Sequence, residues 1–539
     1  MNASRDGHGA IPANRGSHWS LLAKRRHGRL TGAGAAIGAV VASGRRKAQI
    51  AAVTAVMIVA AASFSAVPAA AQQSASPAHG LRYRLIDLGT LGGPNSAETQ
   101  EFPFINNTGM VVGFADTAIP DPHSSEGFVF HAFRWRGGPI RDLGTLPGGV
   151  NSFAIWSNNA GEVVGLSENG RVNPLLGAPE GRGVLWKKGG QIVNLGTLGG
   201  HESLAGYIND RGQIVGVAAN RKRDPFSLFG WGTQTRAFLW QKGVMRDLGT
   251  LGGPDANAAL VNNHGQVAGA SYTNSTPNLD TGMPTLHPFL WTHGTMADLG
   301  TLGGTVGFAT ALNNQGQVAG LSSTSGNQGA HPFLWSRGKL TDLGTLGGTF
   351  GIATWMNNAG AVAGVATTRS DRAFHAFFWR KGKMTDLGTI HGDVCSVAHF
   401  MNSRGQVVGT SGGRGCDQGQ SEKHGFISER GGRMIDLNRF VPKSSHLTVT
   451  DGETINDRGE IAASGMLPNG DFHALILIPC NGGQGCQDGS RHEGTRQSTR
   501  ATGSPTASDA ARTWTPNEMA ARLYPRNRLP LAGGIDRSR

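Results

Sequence analysis

Residues 331–348 read HPFLWSRGKLTDLGTLGG, and the phrase returns as HPFLWTHGTMADLGTLGG from His287 and as HAFRWRGGPIRDLGTLPGG from His131. Three landmarks recur eight times each. D-L-G-T-L-G-G begins at Asp87, Asp142, Asn194, Asp247, Asp298, Asp342 and Asp386, and in degraded form at Asp436. I-N-x-x-G-x-V-x-G places its Asn at 106, 158, 209, 262, 313, 357, 402 and 456. H-A-F-L-W begins at His131, Arg182, Arg236, His287, His331, His375, His424 and His473.

Spacing turns these landmarks into strands and loops. From HAFLW to the following DLG the interval is always 11 or 12 residues, whereas from the VxG glycine to the next HAFLW it runs from 8 to 20. Nearly all length variation therefore sits in one loop. The rest of each unit reads as four short strands separated by N-N-x-G and R-x-G-K turns, the chemistry of tight hairpins. No stretch of residues 80–480 keeps a helical apolar period. Four-stranded units of roughly 44–55 residues are the pattern of β-propeller blades.

The two ends of the repeat region complement each other. Arg82–Leu88, RYRLIDL, is a last strand alone, and His473–Pro479, HALILIP, is a third strand without its fourth. The expected fold is all-β: an eight-bladed β-propeller of four-stranded blades, closed by the N-terminal outer strand joined to the C-terminal blade. Such a clasp removes free sheet edges. A parallel solenoid is the alternative, but it gives no reason for complementary ends. Short A–B and C–D turns then share one face, and the variable B–C loops share the other with the D–A connections.

The combination of HAFLW, DLGTLGG and INNxGQVAG resembles the HAF family of extracellular repeat proteins across roughly residues 82–478. That resemblance implies secretion and a repeated β architecture, and carries no site residues with it. The last unit departs from the pattern, with DLNRF at Asp436 and no Trp in HALILIP, as terminal repeats do.

Charge and composition divide the chain. The formal charge is +13, yet residues 72–480 hold 31 Lys and Arg against 30 Asp and Glu. A nucleic-acid footprint is not expected on so balanced a body. Arg45, Arg46 and Lys47 precede an apolar run, Ala48–Val67, and Ala69 and Ala71 form an A-x-A cleavage pattern. Residues 1–71 thus read as a leader with a signal peptide cleaved after Ala71, residues 72–81 as a short linker, 82–480 as the propeller and 481–539 as a basic disordered tail. The mature chain is expected to have no membrane span and to be a monomer that is secreted, periplasmic or on the cell surface.

Several apparent sites read as scaffold. DLGTLGG lacks the Lys-Ser/Thr of a phosphate loop and opens no helix, so its Asp is expected to bind local amides. The I-N-N-x-G turns carry too few carboxylates for calcium and read as Asx turns. The Trp at 135, 186, 240, 291, 335 and 379 should pack between blades, and the recurring His should bond at strand starts. No C-x-x-C occurs, so neither zinc nor any other cofactor or metal is expected. Of the three possible cysteine pairings, Cys395–Cys416 and Cys480–Cys486 are favoured by their positions, which suits an oxidising compartment.

An activity would lie in residues peculiar to one blade. Val217–Thr235, VAANRKRDPFSLFGWGTQT, is the richest variable loop, and its Arg221, Lys222, Arg223, Phe226, Phe229 and Trp231 form the candidate ligand site. Cations beside exposed aromatics suit a glycan or an anionic surface polymer. The expected function is a secreted binding or interaction module. The alternatives are a polysaccharide-active enzyme using Glu101, His399 and Glu453 at the channel mouth, or a purely structural envelope or matrix protein. No catalytic residue is assigned.

Overall fold

The computed structural model describes residues 82–480, apart from 98–102, 122–126, 280, 413–422 and 443–444. The leader, its cleavage site, the linker 72–81, the tail, Glu101, Cys416 and Cys486 lie outside the described residues. Within them the chain is all-β, with short 3-10 turns and no α-helix.

Each unit is an antiparallel sheet of strands A, B, C and D, which in units 1 to 7 follow in chain order. In unit 3 these are Ser203–Ile208, Ile214–Arg223, Thr233–Gln241 and Val244–Asp247. Five units stand as separate four-stranded sheets, while units 4, 5 and 6 join into one twelve-stranded sheet. The eighth unit draws its strands from both ends of the repeat region. Thr448–Ile455, Ile461–Met466 and Phe472–Pro479 supply A to C, and Tyr83–Asp87 supplies D, in antiparallel register Tyr83↔Pro479 through Asp87↔Leu475.

One side chain ties each unit to the next. The Asn of I-N-x-x-G is buried, and its Oδ1 accepts backbone N–H groups from its own turn. Its Nδ2 donates to the carbonyl of the corresponding Asn one unit on. The series runs from Asn106 to Asn158, 209, 262, 313, 357, 402 and 456, and Asn456 donates back to the Asn106 carbonyl, over 2.8 to 3.4 Å. The turn glycines after these Asn, such as Gly265 at φ 80°, adopt the left-handed geometry that the Asx turn needs.

Strand A carries a bulge, as at Ala205/Tyr207 and Ala258/Leu260, which pushes a carbonyl toward strand B. A Cβ on Gly216 or Gly269 would collide with the Leu204 or Asn257 carbonyl, so the last residue of VxG has to be glycine.

A second recurrent bond fixes strand C to strand D. His131, His287, His331 and His375 place Nδ1 on Asp142, Asp298, Asp342 and Asp386 at 2.8 to 3.0 Å, and Arg236 does the same to Asp247. In unit 8 His473 meets Asp87, 386 residues away in sequence. His424 breaks the pattern and bonds Asp393. Each DLG aspartate also accepts the amide two residues on, as Asp298 does from Gly300.

The joining of units 4 to 6 has a local cause. Where strand C reads HAF, the Ala N–H is bonded by a serine of the next unit, as Ala132 is by Ser152 and Ala376 by Ser396. Units 4 and 5 read HPF, and proline has no N–H to satisfy. The serine is correspondingly absent, and Gly307 and Gly351 pack against Pro288 and Pro332. The backbones close up there, with parallel bridges Leu286↔Val306 and Ala330↔Phe350.

The cores lie between units. Trp186 is packed with Phe104 and Met110 of the preceding unit, and Trp240 with Val164 and Leu185. Trp135, Trp186, Trp240 and Trp291 are buried, while Trp335 and Trp379 are half-buried.

Two outcomes follow. Deleting residues 82–88 removes five ladder positions and the buried Tyr83 and Leu88. At roughly 0.5–1.5 kcal/mol per hydrogen bond against a total of about 5–15 kcal/mol, the truncated chain should melt far lower or aggregate in a thermal unfolding assay. Asn262→Asp keeps the oxygen that accepts in the turn but loses donation to Asn313, at a cost of about 1–3 kcal/mol read as a lower melting temperature.

Candidate functional site

The loop of unit 3 is anchored from beneath by an acid of unit 4. Asp255 is fully buried and accepts from the Leu228 N–H at 2.6 Å, the Thr235 N–H at 3.0 Å and the Thr235 hydroxyl at 2.8 Å. The Tyr272 hydroxyl donates to the Phe226 carbonyl at 3.2 Å. Burial pushes the Asp255 carboxyl well above the usual range, and the neighbouring charge of Asp224 adds to it. Burial likewise raises the Tyr272 phenol.

The loop aromatics, expected to be exposed, are mostly buried. Phe229 and Trp231 are only 7% and 5% exposed, and they form a core with Leu228, Tyr272 and Leu286, the two rings 5.2 Å apart. Phe226 is half-buried. Leu228, Phe229 and Trp231 thereby extend a core that also holds Leu204, Val217 and Ala219 of their own unit. Arg221, Lys222 and Arg223, at the end of strand B, are exposed. The loop is a rigid bracket presenting three cations, with Arg221 Nε held on the Gly199 carbonyl at 3.1 Å.

The same device appears one unit earlier. Glu202 accepts from the Gly181 N–H and from Asn173 Nδ2, both at 2.7 Å, and burial raises its carboxyl to about 7. Beside it Glu180 bonds His201 and Arg182, each at 2.7 Å. Burial works to raise Glu180, yet Asn169, His201 and Arg182 together hold it below the usual range.

On the strands A of units 7 and 8, Cys395–Met401 and Thr448–Ile455, His399 and Glu453 do come together, as Nδ1 and Oε2 at 3.1 Å. The Ser464 hydroxyl donates to the other Glu453 oxygen at 3.0 Å, and the Thr410 hydroxyl donates to Asp451 at 2.5 Å. Burial lowers and the Glu453 bond raises the imidazole, which ends above its ordinary value. Glu453 is raised by burial. Both Glu453 oxygens are engaged by protein donors, so the pair is a satisfied network. Among the described residues no group of three His, Cys, Asp or Glu is arranged to hold a metal.

A further aromatic cluster lies on strand A, outside the motifs singled out in the sequence. The residue two before the Asn is aromatic in five units, and Phe104, Trp156, Tyr207, Trp355 and Phe400 form one cluster. Trp156 stacks on Phe104 at 3.5 Å and on Tyr207 at 4.3 Å, and lies 5.6 Å from Trp355 of unit 6. The phase of those aromatics against the Asn was the available signal. Cys395 and Cys480 are not free thiols.

No protein-family profile matches the chain, and no curated protein does. Among solved structures it is similar to dipeptidyl peptidase 4 of Porphyromonas gingivalis, at TM-score 0.42 and 9% identity over 69% of this chain and 59% of that one. It is similar to acylaminoacyl peptidase of Pyrococcus horikoshii at TM-score 0.36 and 9% identity, over 62% and 52%. A Trypanosoma rangeli sialidase mutant gives TM-score 0.27 and 9% identity, over 74% and 59%. The chain spans between half and three-fifths of the length of these proteins.

The raised groups fix the sign of the pH response. Glu202 moves from 4.5 to about 7, so its contribution is complete below 4.5 and is lost as pH rises through 7. His399 and His473 are raised above 6.5, burial opposing and their carboxylate partners prevailing, and their ion pairs likewise weaken as pH rises. The lowered carboxyls Asp142 and Asp386, where the His bonds outweigh burial, respond only in acid. The melting temperature should fall between about pH 5 and about pH 8, and Glu202→Gln should flatten that slope.

Proposed function

We propose that the protein is an exported, closed eight-bladed propeller that binds an extracellular glycan through the variable loops of one face. The hydrogen bonds that return from Asn456 to Asn106, and the pairing of Tyr83–Asp87 with Phe472–Pro479, support closure. The apolar run Ala48–Val67 with its A-x-A pattern, the resemblance to HAF proteins and the non-free state of Cys395 and Cys480 support export, and the pairs Cys395–Cys416 and Cys480–Cys486 are part of this reading.

The observation that carries the binding role is the bracket of unit 3. A loop packed into the core by Leu228, Phe229 and Trp231 and held by Asp255 presents Arg221, Lys222 and Arg223 without further ordering, which lowers the entropic cost of association. On the same face the DLG aspartates remain about two-fifths exposed, as at Asp142 and Asp298. Neighbouring donors and acceptors suit the hydroxyls of a sugar polymer better than a purely anionic chain.

Glycan arrays probed with the wild type and with an Arg221→Ala, Lys222→Ala, Arg223→Ala variant test this reading. The variant should lose roughly tenfold or more in affinity for the glycans bound, with an unchanged melt. Trp231→Ala should lower binding and melting together, because it acts through the loop core. Identical array profiles for wild type and the triple variant would refute the assignment.

A further inference from the structure

The near-balance of charge over residues 72–480 conceals a separation. The DLG aspartates stand at the loop end of strand D. The opposite end, where the A–B and C–D turns lie, is lined with cations. Every C–D turn of units 1 to 7 except that of unit 4 carries an exposed one: Arg136, Lys188, Lys242, Arg337, Lys381 and Arg430. Unit 4 has His293 in that place. We propose that this turn face is an electrostatic docking surface for the phosphate headgroups of an anionic lipid bilayer.

Four observations converge on it. Lys242, Arg337, Lys381 and Arg430 sit at φ 50°, left-handed backbone where Asn or Gly is at ease and a long side chain is strained. A strained position held by a cation in four separate turns is not explained by the turn itself. Second, none of the six forms an ion pair with a carboxylate among the described residues; Arg136 and Arg430 merely donate to the Thr108 hydroxyl and the Arg404 carbonyl. The acids of this face are engaged as well: Glu429 with Gln406, Glu460 with Arg458, Glu162 with Asn158, and the exposed A–B turn aspartates Asp210 with Asn159 and Asp457 with Asn107 and Ser403.

Third, the face is even. All eight A–B turns have the Asn-x-x-Gly form and the C–D turns are short, whereas the loops at the other end differ by up to a dozen residues. An even array of separated cations engages a plane of phosphates all at once, and a flexible polymer would gain nothing from that evenness. Fourth, the chain enters and leaves the described sheets at this face. Arg82 and Cys480 adjoin each other there, with Cys480 N–H on the Arg82 carbonyl at 2.8 Å. The segment beyond Cys480 is net basic, with nine Arg against five Asp and Glu over residues 481–539. A disc resting on this face would point its variable loops away from the bilayer.

The inference is independent of the glycan reading, since the two use opposite ends of the strands. Co-sedimentation of the full chain with phosphatidylcholine vesicles, and with vesicles of phosphatidylcholine and phosphatidylglycerol, tests it. The wild type should bind the anionic vesicles at least about tenfold more tightly, and added salt should remove the difference. Combined Lys242→Asn, Arg337→Asn, Lys381→Asn and Arg430→Asn should abolish the preference while melting no lower than wild type, because Asn suits φ 50°. Arg136→Gln with Lys188→Gln, at ordinary backbone geometry, should weaken it independently. The triple alanine variant of the unit 3 loop should bind anionic vesicles as the wild type does. Equal binding to both vesicle types, or wild-type binding by the fourfold Asn variant, overturns the proposal. So does sedimentation of the wild type alone as an oligomer that this variant dissolves, which would assign the face to a second copy of the chain.

Discussion

A carboxamide hydrogen bond sets the geometry of the repeat region. Each buried Asn accepts within its own turn and donates to the neighbouring unit, so a single side chain shapes the hairpin and fixes the spacing to the next one. Aspartate would lack the donor, glutamine would be too long for the turn, and serine could not span both partners. Because the bond joins like positions, the units meet in one register, and everything built on them inherits that register. The His–Asp bonds between strands C and D, the tryptophans between units and the variable loops all recur at one level for this reason. Variation is tolerated wherever it leaves the Asn bond alone.

Much of this was legible because periodic landmarks leave no doubt about phase. The eight Asn positions, the eleven-residue interval from His to Asp and the complementary ends at Arg82 and Pro479 follow from counting, and the strand pairs and bonds agree with them. The loop of unit 3 was not legible in the same way. Its three aromatics stand among Arg, Lys, Asp and Gly with no period, and the burial of Phe229 and Trp231 depends on Tyr272 and Leu286 of the next unit, with Asp255 holding the backbone between them. A loop's own composition does not reveal what a neighbour offers it. The pair His399–Glu453 was foreseen as neighbours, but its full satisfaction by Ser464 depends on register between strands.

Charge shows a related limit of composition. A sum over the body returns nearly nothing, because aspartates at one end of strand D are offset by lysines and arginines at the other. Antiparallel repeats convert an alternation along the chain into a polarity through the sheet. Two residues a few positions apart, such as Lys339 and Asp342, lie toward opposite ends of one strand, and eightfold repetition adds their small dipoles together.

The origin of the outer strand of unit 8 bears on how the chain acquires its structure. Tyr83–Asp87 is among the first segments of the repeat region to be synthesised, and its partner Phe472–Pro479 is the last. Units 1 to 7 are built from local hairpins and can form as soon as each is complete, whereas the pairing of Asp87 with His473 must wait for nearly four hundred intervening residues. The cost of closing so long a loop grows only logarithmically with length, and it falls once the intervening units have condensed. The early strand thus remains an unpaired edge throughout synthesis, open to pairing with another chain. Final cooperativity arrives in a single late step, so an incomplete chain is left without its last sheet, however many units it has already formed.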